Sequence, residues 1–118
     1  LGLKIYRLPR EVGIGLWLFV NDVKYDGAFP NCSQMREWFR TRPKHLVGYE
    51  LSDDTVIIDT EIIQSYGQEN KHHVIRPVGQ AAPYMVIGAG TYMHDELFDN
   101  GIDAFDLAAA KSEDYDNS

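Results

Sequence analysis

Cysteine is almost missing from this chain: Cys32 is the only one in 118 residues. No internal disulfide can form, and a zinc site built from several cysteines is excluded. A lone thiol fits a reducing compartment, so a cytoplasmic location is expected. Long apolar runs are missing too. The longest, Val12 to Val20, contains two glycines and is far short of the roughly 20 residues that a membrane-spanning helix needs. No membrane partner is expected. Arg7 and Arg10 precede this run and give it the outline of a secretion signal. Asn21-Asp22, however, stand where a small-residue cleavage site would lie, and the run reads as a buried strand.

Positive charge is scarce at one end. Residues 1–94 carry ten acidic and ten basic residues and are neutral as a set. Residues 95–118 carry eight acids (Asp95, Glu96, Asp99, Asp103, Asp106, Glu113, Asp114 and Asp116) against Lys111 alone, which accounts for the whole net charge of −7. Such asymmetry predicts a globular body, 1–94, followed by an acidic amphipathic C-terminal segment, 95–118. The acidity argues against direct nucleic-acid binding. The bases gather elsewhere: Arg36, Arg40, Arg42 and Lys44 fall close together, with Arg36 and Arg40 four apart on one helix face.

What is present predicts an α+β fold, a mostly antiparallel sheet packed on one or two helices. Strands are expected at Leu3–Leu8, Val12–Val20, Leu46–Leu51, Thr55–Ile63, His72–Val78 and Tyr84–Ile87. A short hairpin partner at Val23–Tyr25 follows the Asn21-Asp22 turn. Met35, Trp38 and Phe39 recur at helical spacing after Asn31, a natural N-cap, and predict a helix over about 32–42. In the last segment, Phe98, Ile102, Phe105 and Ala109 make an apolar stripe beside an acidic one of Asp95, Asp99, Asp103 and Asp106. Asn100-Gly101 is a turn signal, so the helix is placed from about Ile102 to Lys111.

Three patterns could carry chemistry. Cys32 at a helix start, with His72 and His73 on a later strand, would supply the nucleophile and base of a cysteine hydrolase. Asp59-Thr60-Glu61 has the D-x-E form of metal-dependent nucleases, but no matching acids follow, and a solvated strand face explains it better. Met85-Val86-Ile87-Gly88-Ala89-Gly90 looks like the end of a dinucleotide-binding strand, yet Met93 holds the third glycine position and too little chain remains for another βαβ unit. No cofactor and no metal are expected. His72 and His73, adjacent on a strand, point to opposite faces and make a poor ligand pair.

The leading expectation is therefore a small acidic binding or inhibitor-type protein. It would engage the basic surface or groove of a protein partner, as a nucleic-acid mimic does, through Asp95, Phe98, Asp99, Ile102, Asp103, Phe105 and Asp106. A cysteine hydrolase using Cys32, and a structural subunit of a larger assembly, are the alternatives.

Overall fold

The computed structural model describes residues 2–25, 29–41, 44, 48, 51 and 55–117. Arg42, most of the strand expected over 46–51 and the turn at 52–54 lie outside the described residues. The fold is α+β: a curled, six-stranded mixed sheet with two α-helices among the described residues. The strands are β1 (Leu3–Arg7), β2 (Leu16–Val20), β3 (Val23–Lys24), β4 (Ile57–Tyr66), β5 (His72–Pro77) and β6 (Met85–Ile87), and the helices are α1 (Cys32–Arg40) and α2 (Gly101–Asp116). The sheet order is β3-β2-β1-β4-β5-β6. Among the described residues only β1 and β4 run parallel, with β2, β3 and α1 between them in the chain; the other neighbours are antiparallel.

Local sequence explains most of this. Asn21 and Asp22 have φ of 52° and 64°, the left-handed pair that matches the twist of a two-residue hairpin. Val20 and Val23 pair across it. The β2 strand begins at Leu16, not at Val12. Val12 and Gly13 instead close a turn, both donating to the Pro9 carbonyl at 3.0 and 3.2 Å, and Gly13 takes a φ of 155° that a side chain would resist. The Asn31 side chain caps α1, accepting from the Gln34 amide at 2.9 Å. Asn100 does the same for α2, accepting from the Asp103 amide at 3.0 Å while its own amide donates to the Asp103 carboxylate at 3.2 Å. Asn100-Gly101 is thus a helix start. A side chain at Gly101 would be tight there, its Cβ 3.1 Å from the Phe105 ring and 3.3 Å from Tyr84.

One face of the sheet carries Tyr6, Trp17, Phe19, Ile58, Ile62, Ile75, Met85, Ile87 and Met93 in a single cluster. Residues from both halves meet there, so the sheet curls around it. The other face is covered twice. Over β1 and β2, α1 packs Met35 and Phe39 on Ile5, Leu16 and Leu18. Over β5 and β6, α2 packs Ala104 and Ala108 on Val74 and Val86. A bulge between Ile62 and Gln64 interrupts the strict alternation of β4, so that Tyr66 joins Ile63 in the α2 cluster.

The curl is nearly closed. After β6, a 3-10 turn at Ala89–Thr91 brings the chain back antiparallel to β6. His94 donates to Val86 at 2.9 Å and Gly88 to Tyr92 at 2.6 Å. Lys24, on the opposite edge strand, reaches this returning segment. Its Nζ donates to the Met93 carbonyl at 2.7 Å and pairs with Asp95 Oδ1 at 2.6 Å. It also lies over the Trp17 and Tyr92 rings at 4.9 and 4.3 Å. Removing these contacts together in Lys24→Ala is expected to cost about 1–3 kcal/mol. Urea denaturation measures it, and a loss under about 0.5 kcal/mol would mean that the curl holds without this clasp.

Candidate functional site

The outer surface of α2 follows from how the helix docks. Ala104, Ala108 and Ser112 recur every fourth residue and are buried. Small side chains let the helix axis come close to the sheet, at positions with little hydropathic signal. Phe105 and Leu107 flank them, half-buried, with Phe105 edge-on to Tyr84 at 6.1 Å. Phe98 is tied to Tyr84 by two backbone bonds of 2.8 and 3.0 Å and joins the same cluster. The docking face is therefore displaced around the helix from the expected stripe of Phe98, Ile102, Phe105 and Ala109. Phe98 and Phe105 turn to the body, whereas Ile102 is 71% exposed and Ala109 is exposed.

The acids divide in the same way. Asp95 is committed to Lys24, whose hydrogen bond holds its carboxyl below the usual aspartate range. Asp116 accepts from the Gln68 amide at 3.1 Å. Asp99, Asp103, Asp106, Glu113 and Asp114 are exposed. Among the described residues, no cation forms a salt bridge with any of these five. The result is an outward acidic strip, with Ile102, Ala109 and Ala110 exposed among the carboxylates.

The basic cluster lies elsewhere. Arg36, Arg40 and Lys44 are exposed, and Arg40 pairs with Glu37 one helical turn away at 3.2 Å. They belong to α1 and the chain just after it, over β1–β2, whereas α2 sits on β4, β5 and β6. The apolar docking of α2 makes no use of them.

Cys32 lies on α1, half-buried, against the cluster of Ile5, Leu16 and Met35. It opens on a cleft of about 550 Å³ lined also by Arg7, Arg10, Asn31, Asp59 and Thr60. Among the described residues, no histidine lines that cleft. Asp59 is held there by Arg7 at 2.9 Å. His72 and His73 belong to β5, on the other half of the sheet, and face opposite sides of it. The His73 Nδ1 shares a hydrogen bond with Ser65 Oγ at 2.8 Å. The His72 ring, 5% exposed, lies under the end of α2 against Tyr115 at 5.6 Å. The sheet order therefore does not bring thiol and imidazole into one cleft.

It does bring two histidines together that are far apart in sequence. His94 Nε2 and His72 Nε2 lie 3.4 and 3.6 Å from the point where a side chain on Gly88 would begin. Burial, then the Lys111, His72 and Lys24 charges, push His94 below its ordinary value, with Asp95 opposing. Burial does the same to His72, with Asp116 opposing. The adjacency of His72 and His73 was visible in the sequence; that of His72 and His94 was not, because it depends on the return of the chain after β6. Among the described residues, no three His, Cys, Asp or Glu side chains gather as a metal site, and no helix is long and apolar enough to cross a membrane. Comparison of the chain with protein-family models, with curated proteins and with solved structures gives no match.

Proposed function

We propose that this protein is a small acidic binding protein of the inhibitor type, acting in the cytoplasm on a protein partner that has a basic surface or groove. The outward strip of α2 would take the place of a nucleic acid's phosphates in that groove. One observation carries this reading. The helix spends Ala104, Ala108 and Ser112 on docking, leaves Asp103, Asp106, Glu113 and Asp114 exposed along its outer side, and places among the first of them an Ile102 that is 71% exposed. A helix whose only task was to cover β5 and β6 has no need of an isoleucine on its solvent side. Charge would steer the encounter and set orientation, while Ile102 supplies desolvated contact.

The test places a photo-crosslinking residue at position 102 of the full chain in cells, with a control at Val56, which is 73% exposed. The expected adduct is with a protein bearing a basic groove, formed from position 102 and not from 56. The triple variant Asp106→Asn, Glu113→Gln, Asp114→Asn should weaken binding of that protein roughly tenfold, at roughly 0.5 kcal/mol for each charge. Added salt should weaken wild-type binding in the same direction. An adduct that survives the triple variant undiminished, or that forms equally from position 56, rules the reading out.

A further inference from the structure

We infer that His72 and His94 form an acid-sensitive latch for the C-terminal half of α2, which leaves the sheet when both rings take up a proton. The latch stands whether or not the outer face of α2 binds a partner.

Its geometry comes from three segments that converge on the bare Gly88. His72 enters from β5, and His94 enters from the returning segment, their Nε2 atoms 3.6 and 3.4 Å from the point where a side chain on that glycine would begin. The last turns of α2 lie on His72 and on the β4–β5 hairpin, while His94 sits beside His72 and shares a cleft with Leu107 of the same helix. Tyr115 packs edge-on to His72 at 5.6 Å and its hydroxyl accepts from Lys71 Nζ at 3.3 Å. Asp116 accepts from Gln68 at 3.1 Å. Ser112 Oγ lies 2.6 Å from where a Gly67 side chain would start, so this hairpin and helix touch with no side chain between them.

The charges around the pair decide the response. On α2 they are Lys111, Tyr115 and Asp116; on the hairpin and β5, Glu69, Lys71 and His73; on the returning segment, Tyr92 and Asp95; on β3, Lys24. Asp116 favours a charged His72. Asp95 favours a charged His94, but it is already held by Lys24 at 2.6 Å. Against these stand the burial of both rings, the repulsion between them, and the Lys111 and Lys24 cations. Both histidines are therefore depressed below the ordinary 6.5. The sign follows: the undocked chain binds protons at a higher pH than the docked one. The contribution of the neutral pair to docking is complete above the ordinary value and is lost as pH falls toward the depressed one. Glu69 is also held below its usual range by Lys71, so it stays ionised across that window.

Amide exchange resolved along the full chain, at about pH 7.5 and about pH 5 and corrected for the intrinsic rate, tests the latch. Wild type should show a rise of roughly tenfold or more over residues 111–117 at the lower pH, with α1 unchanged. His72→Gln with His94→Gln keeps the ring sites polar and uncharged, and should lose the acid response. His73→Gln should keep it. An acid response that persists in the double variant, or its absence in wild type, overturns the proposal. Should the double variant fail to fold, proton NMR titration of the wild-type rings decides: His72 and His94 must both titrate below a free histidine, and either one at or above that value overturns it.

Discussion

Phe19→Ala is expected to lower the stability of the whole chain by about 3–5 kcal/mol. The ring is 0% exposed and meets Tyr6 edge-to-face at 5.4 Å. Its position matters more than its size. The inner cluster contains Phe19 and Trp17 from β2 together with Ile75, Met85 and Ile87 from β5 and β6, strands at opposite sides of the sheet. A cavity at Phe19 therefore loosens both halves of the curl at once. Urea denaturation followed by tryptophan fluorescence and by far-ultraviolet circular dichroism should give one coincident transition, shifted to lower denaturant with little change in slope. Val56→Ala, at a position 73% exposed, should move the midpoint by less than about 0.5 kcal/mol. A loss below about 1 kcal/mol for Phe19→Ala would mean that the two halves do not share a core.

The elements written in period-two or strong period-3.6 hydropathy were legible in the sequence. The strands β1, β4 and β5, the hairpin at Asn21-Asp22 and the helix α1 lie close to where alternation and capping place them. The misreadings have physical reasons. Val12 to Val20 is apolar throughout, but hydropathy does not record that Gly13 sits at a φ of 155°, which breaks the strand before Leu16. The docking face of α2 was misplaced because Ala104, Ala108 and Ser112 bury themselves by being small, while the louder Ile102 faces water. Asn100-Gly101 reads as a turn in a local window, yet the Asn100 side chain caps the Asp103 amide and makes it a helix start, with the Tyr84 and Phe105 rings close against Gly101. The pairing of Cys32 with a histidine rested on the general idea of a helix beside a strand. The strand order places α1 over β1 and β2 and the histidines on β5, a separation that no local pattern encodes. The convergence of His72 and His94 was hidden for the same reason.

Ala108→Asp should detach α2 from the sheet without unfolding the rest of the chain. Ala108 is 0% exposed and packs with Val74, Val86 and Ala104. A carboxylate there meets no cation among the described residues of that cluster, and keeping it buried and charged would cost about 3–5 kcal/mol. The chain has a cheaper alternative, which sets the upper limit of the effect: the helix can leave. Undocking exposes Val74, Val86 and the half-buried Ile63, Tyr84 and Phe105. The inner cluster and the α1 cluster keep all their members, since α2 contributes to neither. At neutral pH, amide protection should therefore fall over 101–116 while the amides of Leu18, Phe19 and Ile75 stay protected. The far-ultraviolet signal should lose only a helical fraction. This result would make residues 1–94 a body able to stand with its helix undocked, the division that the charge asymmetry first suggests. It would also hold the C-terminal half of α2 in its released state at a pH where His72 and His94 are neutral, so its remaining exchange should no longer depend on acid. Simultaneous loss of protection in Leu18, Phe19 and α2 would show instead that the helix and the sheet fold as one unit. In that case the acidic strip could not be presented to a partner without the whole domain behind it.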